Sequence, residues 1–204
     1  MKIAGVALLG MIGAAPAAVA AQQDPPLPDS TLRHAVRLIT EGQGDSARAL
    51  VRRKLQSLPP VDTLYPAALY AAGVVAAHRD TALAYFRRVS IEYSSSPWAP
   101  AALVRLAQFA FASGDFAASL RAGERVLLDY PASRERAAAA YWAGLARLEL
   151  ADPAAACVLL ARAEQEAGME VELANRARFY LQRCEGLAMA ADTAARDTAA
   201  QRPP

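Results

Sequence analysis

The sequence predicts an all-α protein, an array of about four helix–turn–helix pairs closed by one further helix near its C-terminus. Three observations carry that prediction. Apolar side chains between Ser30 and Gly186 recur at helical spacing, with no useful run that alternates in period two. Short breaks rich in Gly, Pro, Asp and Ser interrupt them at regular intervals. A small residue followed four positions later by a larger one returns every 35 to 37 residues.

The first 21 residues read as an export signal. Met1 and Lys2 give a positive start, Ile3 to Met11 an apolar stretch, and Gly13 to Ala21 a small-residue segment containing Pro16. Val19-Ala20-Ala21 or Ala18-Val19-Ala20 supplies the small residues that signal peptidase requires, leaving a mature chain that starts near Gln22. A retained anchor is the alternative, since Ile3 to Ala21 is uncharged, but Ala, Gly and Pro dominate its second half. No Cys follows the apolar run to take a lipid. Residues 22–29, with Pro25, Pro26 and Pro28, read as an extended Pro-rich linker because that density of proline forbids a helix interior.

Residues 30–186 form the repeat domain. Leu32, Ala35, Val36 and Ile39 fall at i, i+3, i+4 and i+7, and Ala47, Leu50, Val51, Leu55 and Leu58 do the same one element later. The breaks fall at Gly42–Asp45, Leu58–Pro60, Ser94–Pro97, Ser113–Asp115, Tyr130–Pro131, Ala151–Pro153 and Ala167–Gly168; several place Asp or Ser where it caps the next helix. Second helices align on Ala47, Ala82, Ser119 and Ala156, then on Val51, Phe86, Gly123 and Leu160 four positions on. The small side chain admits a neighbouring helix and the large one fills the groove beside it. In the first helices Ala107 and Gly144, 37 apart, occupy a matching small site. Residues 187–204, above all Ala191 to Pro204 with its repeated Asp-Thr-Ala-Ala, are too poor in large apolar groups to offset chain entropy and read as a disordered tail.

This pattern resembles the tetratricopeptide repeat, a helix–turn–helix unit of about 34 residues. Tyr130-Pro131-Ala132-Ser133, with a weaker echo in Tyr93-Ser94-Ser95-Ser96, is similar to the variety found in bacterial cell-envelope proteins, such as outer-membrane assembly lipoproteins and the Tol–Pal-associated periplasmic protein. The chain departs from these in lacking a lipid-bearing Cys and an N-terminal coiled coil. The resemblance implies a superhelix whose first helices line a concave groove for a protein or peptide. In that register the groove takes Val104, Gln108 and Phe111, then Tyr141, Leu145 and Leu148, with His34, Leu38 and Tyr70 extending it toward the N-terminus.

Composition bounds the function. Of 204 residues 54 % are apolar and 21 % charged, which excludes disorder over most of the length. Lys and Arg total 22 against 20 Asp and Glu, so there is no excess of positive charge of the kind that nucleic-acid binding uses. His34 and His78 lie in different units with no ligand partner at metal spacing, and Gly42-Gln43-Gly44 joins two helices rather than a strand to a helix. No nucleophile elbow appears, and Glu164, Glu166, Arg52-Arg53 and Arg87-Arg88 read as solvated helix faces. No catalytic residue, metal or cofactor is expected. Cys157 and Cys184 fall within about one turn of each other across an antiparallel hairpin, close enough for a disulfide with modest adjustment; two buried thiols are the alternative.

The expected protein is thus an exported, non-catalytic adaptor, periplasmic or extracellular. Its mature chain has no transmembrane segment and associates at most peripherally with outer-membrane or cell-wall machinery. Its partner is an envelope protein or peptide. A secreted enzyme or carbohydrate-binding module built on a helical solenoid, or a self-associating array, is the alternative.

Overall fold

The computed structural model describes residues 25–184, so the expected export signal and the polar tail lie outside the described residues. Within them the chain forms four helical hairpins in succession. These are α1 (Ser30–Thr40) with α2 (Gly44–Ser57), α3 (Tyr65–Val74) with α4 (Arg79–Glu92), α5 (Ala99–Ala112) with α6 (Phe116–Asp129), and α7 (Arg136–Glu149) with α8 (Pro153–Glu166). A ninth helix, α9, occupies 171–184. There is no strand among the described residues. Each helix packs on its sequence neighbours, and first helices also meet across repeats, α1 on α3 and α5 on α7. The result is an all-α solenoid.

Local chemistry dictates the turns inside three of the hairpins. Their first helices end in a left-handed residue, Gly42 (φ 76°), Gly114 (φ 78°) and Ala151 (φ 59°). In each the next N–H reaches back to a carbonyl five residues earlier, Gln43 to Leu38 at 2.8 Å, Asp115 to Ala110 at 3.0 Å and Asp152 to Arg147 at 2.9 Å. The same Asp115 and Asp152 then cap the following helix, accepting from the Ala118 and Ala155 N–H groups at 3.0 and 3.2 Å. The second hairpin differs. Its α3 has ten residues where α5 and α7 have fourteen, and its turn, Val75 to His78, contains no Gly, Pro or Asp. The sequence reading placed no break there for that reason.

A second kind of turn joins one hairpin to the next. An N–H donates to a carbonyl three residues back at Asp62–Pro59 (2.9 Å), Ser96–Tyr93 (2.8 Å), Ser133–Tyr130 (3.0 Å) and Glu170–Ala167 (2.9 Å). The Asp62, Ser96 and Ser133 side chains accept from the N–H two residues on, at 2.8, 3.2 and 3.1 Å. The Tyr130 hydroxyl donates to the Ser94 carbonyl of the preceding turn at 2.8 Å, and Tyr93 donates likewise to Pro60 at 3.2 Å. The Tyr-x-x-Ser echo in the sequence therefore marks a hydrogen-bonded turn tied to the turn before it.

Small residues set how closely the helices approach. A Cβ at Gly144 would lie 2.8 Å from the Leu160 side chain, and one at Gly73 would lie 2.7 Å from the Phe86 ring. Gly123, which breaks the small-then-large pattern, is explained by the next repeat: its Cβ would stand 2.7 Å from the Ala139 carbonyl oxygen of α7.

Both ends of the array are fastened. At the C-terminal end α9 buries Leu173 and Ala177 in a core shared with Leu160 and Ala163 of α8. Cys157 and Cys184 form a disulfide between α8 and α9, with Cα atoms 5.9 Å apart. At the N-terminal end the Pro-rich stretch is more than a spacer over its described part. Leu27 is buried in the core, and one Arg33 nitrogen donates to the Leu27 and Pro28 carbonyls, both at 2.8 Å. Asp29 caps α1 through the Leu32 N–H at 3.0 Å and pairs with Lys54 of α2 at 2.9 Å. The Lys54 ammonium, with the helix N–H groups, holds the Asp29 carboxyl below its ordinary range against the opposing effect of burial.

Candidate functional site

The nine residues expected to line a groove do not share one environment. Leu38, Tyr70, Val104, Tyr141 and Leu145 are buried. Gln108, Phe111 and Leu148 are half-buried, and His34 is exposed. Two sets of neighbours account for the burial. Tyr70 is 1 % exposed because the Phe86 and Trp98 rings close on it at 5.4 and 5.3 Å, and Pro25, Pro26 and Leu27 border the shallow recess above it. Tyr141 is covered by α9, with the Tyr180 ring at 6.2 Å and the Arg176 guanidinium 5.9 Å from the ring centroid. Burial pushes the Tyr141 phenol up to about 12, so it stays neutral and can donate throughout the physiological range.

What remains partly open on the first helices is a strip that crosses three of them. The Arg105 guanidinium on α5 donates to the Tyr70 hydroxyl of α3 at 3.3 Å and to the Gln108 side-chain oxygen at 3.1 Å. One turn further, Phe111 meets the Trp142 ring of α7 at 5.5 Å and Phe116 at 5.3 Å. Two polar groups are thus flanked by aromatic rings from α3 to α7, with Trp98 packed on Tyr70 at one end and α9 on Tyr141, the neighbour of Trp142, at the other. Arg105 and Trp142 were absent from the sequence expectation, although each directly follows a residue that was in it, Val104 and Tyr141, and the two lie 37 positions apart.

A recess of about 870 Å³ lies where the turns between hairpins line up. Pro25 and Pro26 wall it on one side, and Trp98, Tyr130 and Pro131 are among the groups opposite. These side chains offer flat apolar faces and backbone carbonyls, with the Asp129 carboxylate and the Arg134 guanidinium at its margin.

Reactive chemistry is sparse. No group of three or more His, Cys, Asp or Glu side chains that could hold a metal ion occurs among the described residues. Both cysteines are in the disulfide. No helix among the described residues is long and apolar enough to cross a membrane. No family model matches the chain, and no curated protein or solved structure does either.

Proposed function

We propose that this chain is an exported, non-catalytic adaptor of the tetratricopeptide type that holds a segment of another protein against its first helices, in envelope assembly or maintenance. The observation that carries the reading is the half-buried strip of Arg105, Gln108 and Phe111 on α5 and Trp142 on α7, anchored on the buried Tyr70 of α3. A solenoid offers the same face of several helices to one ligand. A strip that mixes a guanidinium, an amide and two aromatic rings suits a polypeptide, whose backbone carbonyls and apolar side chains it can engage together. The disulfide supports an oxidising compartment, in keeping with the export signal read in residues 1–21.

The test is affinity capture from an envelope extract with wild type and with Phe111→Ala and Gln108→Ala together. Both side chains are half-buried, and circular dichroism of the double variant confirms that the array is intact. A protein retained by wild type and lost by the double variant supports the reading. Retention of every captured protein by the double variant refutes the assignment of this strip. Light scattering at high concentration addresses self-association: a strict monomer removes the self-assembling array from contention.

A further inference from the structure

The second helices carry a feature that an adaptor working through its first helices does not use. Arg53, Arg88, Arg125 and Arg162 occupy one position in all four second helices, at intervals of 35, 37 and 37 residues. The last three are neutralised within their own helices by Glu92 (2.7 Å), Asp129 (3.3 Å) and Glu166 (3.7 Å). Beside this paired ladder stand arginines that are not neutralised. Arg52, Arg87 and Arg121 are exposed, and their guanidinium groups make no hydrogen bond or ion pair among the described residues.

These three border two clefts of the same kind, one repeat apart. The first, about 340 Å³, lies between α2 and α4 over α3, with Arg52 on its wall and Val51, Leu55 and Val75 inside. The second, about 330 Å³, lies between α4 and α6 over α5, with Arg87 and Arg121 on its walls and Leu83, Leu103 and Leu106 inside. The position of Arg52 and Arg87 becomes Glu124 one repeat later, where Arg147 of α7 takes the carboxylate at 2.8 Å. Charge therefore changes along the array. Basic side chains outnumber acidic ones four to one in α2 and three to two in α4, match them two to two in α6, and fall to one against two in α8.

We propose that the two clefts on the α2–α4–α6 side bind an acidic amphipathic segment of a partner protein, its carboxylates on Arg52, Arg87 and Arg121 and its apolar side chains on the cleft floors. Charge complementarity selects an anionic occupant, because these guanidinium groups pair with no carboxylate among the described residues, whereas one repeat later the position of Arg52 and Arg87 carries a carboxylate of its own. The recessed apolar floors select a polypeptide over a flat membrane surface, which meets the rim but not Leu103 beneath it. Phosphates of a nucleic acid leave the same floors unfilled. The surface is separate from the first-helix strip, so either can fail without the other.

The experiment uses a fluorescein-labelled peptide of three Glu-Glu-Leu-Leu repeats and its Gln-for-Glu counterpart, titrated with the exported protein and followed by anisotropy. Vesicles with one-third anionic phospholipid form a parallel arm. The expected result is saturable binding of the Glu peptide that weakens with salt, at least about a tenfold loss in Arg52→Gln/Arg87→Gln/Arg121→Gln, and less than about a twofold change in Arg162→Gln, whose guanidinium already has a partner. Equal binding of the Gln peptide, unchanged affinity in the triple variant, or binding to vesicles without binding to the peptide would each overturn the proposal. Circular dichroism of the triple variant confirms that the array is intact, and Phe111→Ala/Gln108→Ala keeps the affinity of wild type.

Discussion

Gly123 offers the sharpest test of how the repeats are stacked. In an ordinary helix interior, replacing Gly with Ala stabilises by about 1 kcal/mol through backbone entropy. At this position the new Cβ meets the Ala139 carbonyl oxygen at 2.7 Å, the Ala143 Cβ at 3.0 Å and the Ala143 nitrogen at 3.4 Å. Two of those three atoms are backbone, so α6 and α7 have to separate by several tenths of an ångström. Overpacking of that kind costs about 1–3 kcal/mol. Gly123→Ala is therefore expected to destabilise by about 1 kcal/mol net. Gly44→Ala is the internal control, since its Cβ meets only the end of the flexible Arg48 side chain, at 2.9 Å, and a helix first turn gains a few tenths of a kcal/mol from Ala. Urea unfolding of both variants reads the difference as midpoint shifts of opposite sign. A Gly123→Ala protein that gains stability as a free helix would refutes the close approach of α6 to α7, and with it the account of why this repeat lacks a large side chain there.

Three further outcomes are expected. Replacing Cys157 and Cys184 with Ser opens a loop of 27 residues, for which chain entropy gives about 3.5 kcal/mol, and the loss should fall on α9, read as faster hydrogen exchange over 171–184 with little change in α3 to α5. Ala151→Gly relieves a left-handed alanine where Gly42 and Gly114 stand in equivalent turns, and should raise the unfolding midpoint by an amount worth about 1 kcal/mol; no gain would mean that the strain is absorbed elsewhere. Because the folded Asp29 carboxyl titrates below its unfolded range, its pairing with Lys54 stabilises fully above the ordinary carboxylate pKa and is lost as pH falls through the folded value. Asp29→Asn, which keeps a capping oxygen, should thus be less stable than wild type near neutral pH and indistinguishable from it in strong acid; a difference that persists in acid would assign the effect to the cap.

The helices that end in Gly, Pro, Asp or Ser were legible because those residues act locally. Gly42, Gly114 and the Asp115 and Asp152 caps fix their turns whatever lies further away, and the cysteines were placed by counting helical turns. The α3–α4 turn was illegible because Val75-Ala76-Ala77-His78 carries no such chemistry and is held by packing alone. The shortening of the second hairpin also hid its small site. Between Ser96 and Ser133 the repeat is 37 residues, but between Asp62 and Ser96 it is 34, so counting back from Ala107 lands on Tyr70 and not on Gly73, which meets Phe86. The candidate surface was legible only in part. Helical spacing put Tyr141 and Leu145 on one face of α7 but did not reveal that both are buried or that α9 lies over Tyr141, and nothing near Tyr70 in sequence announced that Trp98 and the segment at Pro25 would enclose it.

A nearest-neighbour array has its weak points at the ends, where a hairpin has one neighbour instead of two. Each end of this chain answers that weakness with long-range chemistry of its own. Leu27, Arg33 and the Asp29–Lys54 pair close the first hairpin, while the disulfide and the Arg178–Glu164 pair (2.7 Å) close the last. The last hairpin is also joined to the third by Arg136 of α7, which takes Glu166 of α8 through two 3.0 Å bonds and the Leu127 carbonyl of α6 through a third. The strip from Tyr70 to Trp142 lies between the fastened ends and involves none of these ties. Substitutions at its half-buried members Gln108 and Phe111 should change binding while leaving the array standing, which is the property a recognition surface on a solenoid requires.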